Sequence, residues 1–429
     1  MSALKKNMSI PQGVVLAICS LVGSGLLGLP GLAVKVGGVE VAALGWIVSI
    51  LLSIPLVIIF MQLSLQVRNA GGVATFAGLA IGKWAQTAVS LILAISFAFG
   101  IPLGIYMGGM YLQQILGLPH DNLLWLIWAI LALSILVNYL GLRPSGWLNT
   151  LSVASLIILI ALMILAHDHF LSSGMTAYAD ALQNIDAVSF DSMWAVCAII
   201  FWAFLGWENM SFGSEEVSGE DADASKRAIR WIYLWAFVIV SAIYLSLAVL
   251  TAGAAVNGFS VSGVTGLLAL LENTRFETIA YALIVLIILA NVNAWVFACS
   301  RSLYASGKEG ILPRYLGSLS ADGIPKASVL TTGAVLCLIC YLVFDGILPL
   351  ETGLALVNQN FILVYVLSVV CYLKLNKGWF AYLIGFLGLA SCAFLITGFG
   401  WLTLIPLALM ALGWMLHHYR LRAKQPKPV

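Results

Sequence analysis

Phe201-Trp-Ala-Phe-Leu-Gly-Trp-Glu-Asn-Met-Ser-Phe-Gly213 decides the reading of this chain. It belongs to an apolar stretch, about residues 192–213, long enough to cross a bilayer. Glu208 stands inside it, where a carboxylate costs at least about 2.5–3.5 kcal/mol on insertion scales. A cavity, a partner or a proton must recover that cost. Gly206 weakens the helix at the same depth. An intramembrane acid beside a helix breaker is a functional candidate by default.

The rest of the chain supports a membrane setting. Of 429 residues, 62% are hydrophobic and 9% charged, where a soluble domain carries roughly 25% charged residues. Twelve spans are expected, at about 12–34, 40–66, 84–113, 122–140, 147–166, 192–213, 229–253, 276–306, 326–344, 352–375, 379–396 and 400–418. Their length makes them helices rather than barrel strands. An even number puts both termini on one side. With that side cytoplasmic, only Lys35 and Arg275 of the 20 basic residues fall outside, as the positive-inside rule requires. Every acid except Glu208 reaches a loop, including Glu215 and Glu216 in the 214–227 loop. Residues 167–191 are the longest expected outer loop and hold His167, Asp168 and His169. The first apolar run exceeds a signal h-region, so no cleavable signal is expected. The seven cysteines are scattered through apolar spans without metal-like spacing and read as small core residues.

A second break falls in span 1, at Gly23-Ser-Gly-Leu-Leu-Gly-Leu-Pro-Gly31. Small residues alone would serve close helix packing. Here the two breaks fall in the first span of each half, spans 1–5 and 6–10. Interrupted spans at corresponding positions are the best sequence pointer to a transporter site. A half-helix N-terminus offers free N–H groups to a carboxylate. Unwound carbonyls on the partner span suit an ammonium group. Such a site reads both ends of a zwitterion without a charged side chain.

These motifs resemble the amino acid–polyamine–organocation (APC) superfamily of transporters. Gly23-Ser24-Gly25 with Pro30-Gly31 is similar to that family's span-1 signature, and Phe201 to Glu208 to its span-6 pattern. Ala70-Gly71-Gly72 and Arg301-Ser-Leu-Tyr-Ala-Ser-Gly-Lys-Glu-Gly-Ile-Leu-Pro313 match further elements in the right order. The resemblance implies an all-α integral membrane fold with a five-plus-five inverted-repeat core. That core is residues 1–376, with repeats at about 12–166 and 192–375; two peripheral helices and a tail occupy 377–429. It implies substrate carboxylate binding by backbone at Ser24, Gly25 and Leu26, and ammonium binding near Trp202, Ala203 and Leu205. Trp202 matches an aromatic that covers the substrate in a related antiporter, and Glu208 an acid linked there to proton sensing or gating. Arg301 and the Ala70–Gly72 glycines match positions that shape cytoplasmic structure.

Spans 3, 8 and 10 add Met107, Met110, Asn291, Asn293, Trp295, Asn358, Gln359 and Asn360, of which Trp295 and Asn358 are taken as substrate contacts. No second charge lies in these spans. A cationic or acidic side chain would want one. A neutral, apolar amino acid is therefore the expected substrate, and the pattern is nearest the subgroup that exports methionine and branched-chain amino acids. Import, or cationic amino acid and polyamine antiport, are alternatives within the fold, and an amino acid sensor is one outside transport. The expected activity is not enzymatic and uses no cofactor, metal or nucleic acid. The expected setting is the inner membrane of the cell, and a homodimer is allowed. Span 5 lacks the lysine that some proton-coupled relatives carry, and Ser300 and Ser302 leave sodium open. Proton coupling, sodium coupling and exchange all fit; Glu208 favours the proton or exchange. Alternatively, N–H groups freed by the break satisfy Glu208 in a structural role.

Overall fold

A computed structural model describes residues 4–23, 28–261, 266–348, 350–396 and 404–423. Its helices are α1 (Ile10–Leu21), α2 (Leu29–Gln66), α3 (Gly72–Ala80), α4 (Lys83–Leu116), α5 (Leu123–Leu140), α6 (Leu142–Ala166), α7 (Asp168–Gln183), α8 (Phe190–Ile200), α9 (Asn209–Gly213), α10 (Ala222–Val256), α11 (Glu277–Lys308), α12 (Lys326–Phe344), α13 (Leu350–Leu375), α14 (Trp379–Ile396) and α15 (Leu404–Ala423). Among the described residues there is no strand, only one isolated parallel bridge between Met8 and Val217. Among the described residues ten helical stretches are long and apolar enough to cross a membrane, and α1 and Leu404–Tyr419 are shorter apolar helices. The protein is an all-α, multi-pass membrane protein.

Local chemistry explains where the helices start and stop. Pro11 sits in the first turn of α1, where a missing N–H costs nothing, and Gln12 reaches back to the Ser9 N–H at 2.9 Å. α2 likewise opens with Pro30 in its first turn. Expected spans 1 and 2 meet inside α2, because Gly38 (φ 75°, ψ 175°) interrupts its helical backbone. Span 1 is thus α1 plus the head of α2, and span 6 is α8 plus α9. Asp221 caps α10 by accepting from the Ala224 N–H at 2.6 Å. That bond holds the Asp221 carboxyl below the usual range.

One expectation needs correction. Residues 168–183 of the expected outer loop form α7, which packs across α10 and α2. Its buried face is Phe170, Gly174, Ala177 and Ala181. Gly174 lies against the Val249 carbonyl and Gly253 against the Phe170 carbonyl, with no room for a Cβ at either. Small residues, not an apolar run, hold this helix down, so hydropathy alone misses it.

Candidate functional site

The two breaks pack against each other. α8 ends at Ile200, and Phe201–Phe204 tighten into a 3-10 turn. Leu205 is extended (φ −81°, ψ 131°) and Gly206 adopts φ 134°. A Cβ at Gly206 would lie 2.8 Å from the Ser20 carbonyl in the last turn of α1. Glycine is required there on both counts.

Broken helices leave carbonyls without partners. The Tyr244 hydroxyl, from α10, lies 2.6 Å from the Ala203 carbonyl and 3.0 Å from the Leu21 carbonyl. A hydroxyl carries one proton and serves one of them at a time. The Cys19 carbonyl accepts instead from Asn291 Nδ2 at 2.7 Å.

Between the breaks lies a cavity of about 70 Å³. Span 1 contributes Ser20, Leu21, Gly23 and Leu29, and α4 contributes Ser96, Gly100, Ile101, Gly104 and Met107. The 3-10 turn gives Trp202, Ala203 and Leu205; α10 gives Tyr244. Asn291, Val292 and Trp295 enter from α11, and Val357 and Phe361 from α13. Phe97, Trp295 and Phe361 pack edge to face, with centroids 5.6–6.4 Å apart. No charged side chain lines it among the described residues.

Glu208 is fully buried but lies outside that lining. Its Oε2 accepts from the Tyr365 hydroxyl at 2.6 Å and from the Gly206 N–H at 3.2 Å. Oε1 has no hydrogen-bond partner among the described residues. Tyr365 follows Val357 and Phe361 at intervals of four residues, so all three share one face of α13.

A profile of the family described as "Amino acid permease" matches residues 10–415. The chain belongs to the amino acid permease family. It is 26% identical to the uncharacterized amino acid permease YecA of Bacillus subtilis, over 96% of this chain and 95% of the relative. It is equally 26% identical to the L-methionine/branched-chain amino acid exporter YjeH of Escherichia coli, over 97% of each. The putrescine transporter PotE of Escherichia coli is 24% identical over 77% of this chain and 75% of its own length. The resemblance to the APC superfamily is thereby borne out. The permease is a transporter, not an enzyme.

Of the residues singled out in the sequence, Met107, Trp202, Ala203, Leu205, Asn291 and Trp295 line the permease's cavity. Ser24, Gly25 and Leu26 lie outside the described residues. Asn358 is half-buried and outside the lining, while its neighbours Val357 and Phe361 are within it. Asn293 turns away, donating to Ser145 Oγ at 2.8 Å and Asn149 Oδ1 at 3.0 Å. Gln359 Oε1 and both polar side-chain atoms of Asn360 are buried without partners among the described residues. Tyr244 and Tyr365 are not conspicuous in the sequence. Each sits in an apolar span where a tyrosine reads as core; a hydroxyl needing a partner was the available signal.

A second polar cluster occupies the end of the permease that carries the N-terminal segment. Arg301 and Glu216 are both buried and pair at 2.8 Å, with the guanidinium 3.9 Å above the Phe297 ring. The Met8 N–H donates to the Glu216 carbonyl at 2.8 Å, and the Ser218 N–H to the Met8 carbonyl at 2.9 Å. Glu215 Oε2 accepts from the Ala70 N–H at 2.9 Å, at the glycine turn before α3. Glu216, placed in a loop by the sequence, is therefore buried and paired.

Proposed function

We propose that this permease is a secondary transporter of neutral, apolar amino acids of the methionine, leucine, isoleucine and valine kind. It works by alternating access in the inner membrane of the cell, with both termini in the cytoplasm, as a proton-coupled exporter or exchanger. One observation carries the substrate class: the cavity between the two breaks is lined by aromatic, aliphatic and Met side chains, with uncharged polar groups at the breaks. An ammonium group finds carbonyls there, and an apolar side chain finds Trp295, Phe361, Ile101 and Met107. A cationic side chain would leave its charge unpaired in an apolar pocket. The relative YjeH, named for export of methionine and branched-chain amino acids, supports the same class.

Ser24, Gly25 and Leu26 complete the site in this reading by offering backbone N–H groups to the carboxylate. Glu208 is the coupling group: its Oε1, without a partner among the described residues, is available to a proton, and Tyr365 ties its other oxygen to the helix face that lines the cavity. Asn358 contributes through α13, as part of a gate with Gln359, whose Oε1 has no partner among the described residues, and Asn360, whose amide has none there. Residues 1–376 form the working core, with α14 and α15 peripheral.

The relatives named for putrescine and for cadaverine/lysine keep a second reading in play, that of a cation antiporter. Counterflow in proteoliposomes separates the two. Leucine, isoleucine, valine or methionine should compete well, and arginine, putrescine and glutamate poorly, at two pH values with and without sodium. Strong competition by arginine or putrescine alone would overturn the neutral assignment. Gly25→Val should abolish transport in an inserted protein, and near wild-type transport would overturn the carboxylate site.

A further inference from the structure

Asn291 is bound to the break in span 1 in a way that packing does not require. A continuing helix would give the Cys19 carbonyl to the Gly23 N–H, four residues on. α1 ends at Leu21 instead, and Asn291 Nδ2 takes that carbonyl at 2.7 Å. The bond fixes which way the amide points, since a carbonyl accepts only from the NH₂ end. The oxygen then faces the other way. A Cβ at Gly23 would lie 2.5 Å from Asn291 Oδ1, so the amide packs directly against Gly23 and any side chain there would have to displace it. Asn291 is half-buried and lines the cavity, and among the described residues its side chain makes no hydrogen bond other than the one to Cys19. Trp295, one turn further along α11, lines the same cavity.

We infer that Asn291 is a substrate-binding residue with two jobs: its NH₂ group holds span 1 open, and its amide oxygen accepts a hydrogen bond from the substrate ammonium. This rests on the reading of the cavity as an amino acid site. An ammonium brings three donors. Among the described residues the cavity answers with neutral acceptors, among them whichever of the Leu21 and Ala203 carbonyls Tyr244 leaves free, and Asn291 Oδ1. Asn291 is an amide acceptor whose other end also sets the backbone of the span-1 break. It therefore links recognition of the ammonium to the shape of the break.

The test compares amino acids with their 2-hydroxy acids, which replace the ammonium by a hydroxyl. Binding of L-leucine and L-methionine, and of 2-hydroxy-4-methylpentanoate and 2-hydroxy-4-(methylthio)butanoate, is measured on purified wild type, Asn291→Ala, Asn291→Leu and Asn291→Asp. Losing a hydrogen bond to a charged group should weaken amino acid binding about tenfold or more in the Ala and Leu variants. The hydroxy acids should weaken far less, so the preference for the ammonium falls by about that factor. Asn291→Asp keeps an oxygen acceptor and should keep the preference even where overall affinity drops. Asn291→Leu fills the volume and replaces Asn291→Ala if that variant does not fold. A preference unchanged in the Ala or Leu variants, or lost equally in the Asp variant, would overturn the inference while leaving the cavity's assignment intact. A wild type that binds no neutral amino acid would overturn that assignment and this inference with it.

Discussion

Glu208 and Glu216 stand eight residues apart, and both are buried, yet they are held in opposite ways. Glu216 faces a guanidinium, itself stacked on Phe297, in a cluster that also grips the N-terminal segment through Met8. Glu208 meets no cation among the described residues: one oxygen takes a hydroxyl and a backbone N–H, and the other takes nothing. A buried ion pair is weak evidence for net stability, but breaking it by removing one partner is costly. The first arrangement is a clamp. The second holds a carboxyl by a hydroxyl and a backbone N–H, with no counter-charge beside it among the described residues. Burial alone does not distinguish the two acids; the kind of partner does.

The largest expected effect breaks the clamp. Arg301→Ala strands Glu216 in a buried site and should cost about 3–5 kcal/mol, seen as a lower Tm in detergent. Arg301→Met combined with Glu216→Leu should recover much of that loss. A Tm unchanged in Arg301→Ala would show that the pair is not the buried contact described, and the contrast would fail.

Gly206→Ala tests the backbone beside Glu208. It forces a side chain into φ 134° and against the Ser20 carbonyl. The strain should cost about 1–3 kcal/mol and transport should be lost, because the two breaks can no longer approach. A variant that transports as well as wild type would mean that the approach is not needed.

The smallest stability effect sharpens the Glu208 side. Tyr365→Phe removes one hydrogen bond to a carboxyl oxygen and should cost about 1–3 kcal/mol or less. Its pH profile of transport should shift, because the hydroxyl touches the carboxyl directly. A lower Tm with an unmoved profile would make Tyr365 a packing residue.

The amino-acid sequence carried most of this frame and little of its wiring. Spans are legible because apolar length is a local property, and the breaks because glycine and proline are local. Glu208 stood out as a charge inside a span. Glu216 did not, since a charge in a loop reads as solvated; its burial depends on Arg301, 85 residues away. The partners of the freed carbonyls are similarly remote: Tyr244 meets Leu21 across 223 residues, and Asn291 meets Cys19 across 272. Asn358 illustrates a finer limit. One step along a helix turns a side chain by about 100°, so Val357 lines the cavity and Asn358 does not. Which residue of an apolar span faces the site is set by helix rotation, and α13 shows no amphipathic pattern strong enough to fix it from the chain alone.

The contrast between the two acids is tested most directly by the pH dependence of counterflow for Glu208→Gln in proteoliposomes. Glutamine nearly preserves the shape and can still accept from Tyr365, but it cannot titrate. Substrate binding should survive, and the dependence of transport rate on pH should flatten. A variant that keeps the full wild-type pH profile would contradict the account, leaving Glu208 as a structural residue beside the break.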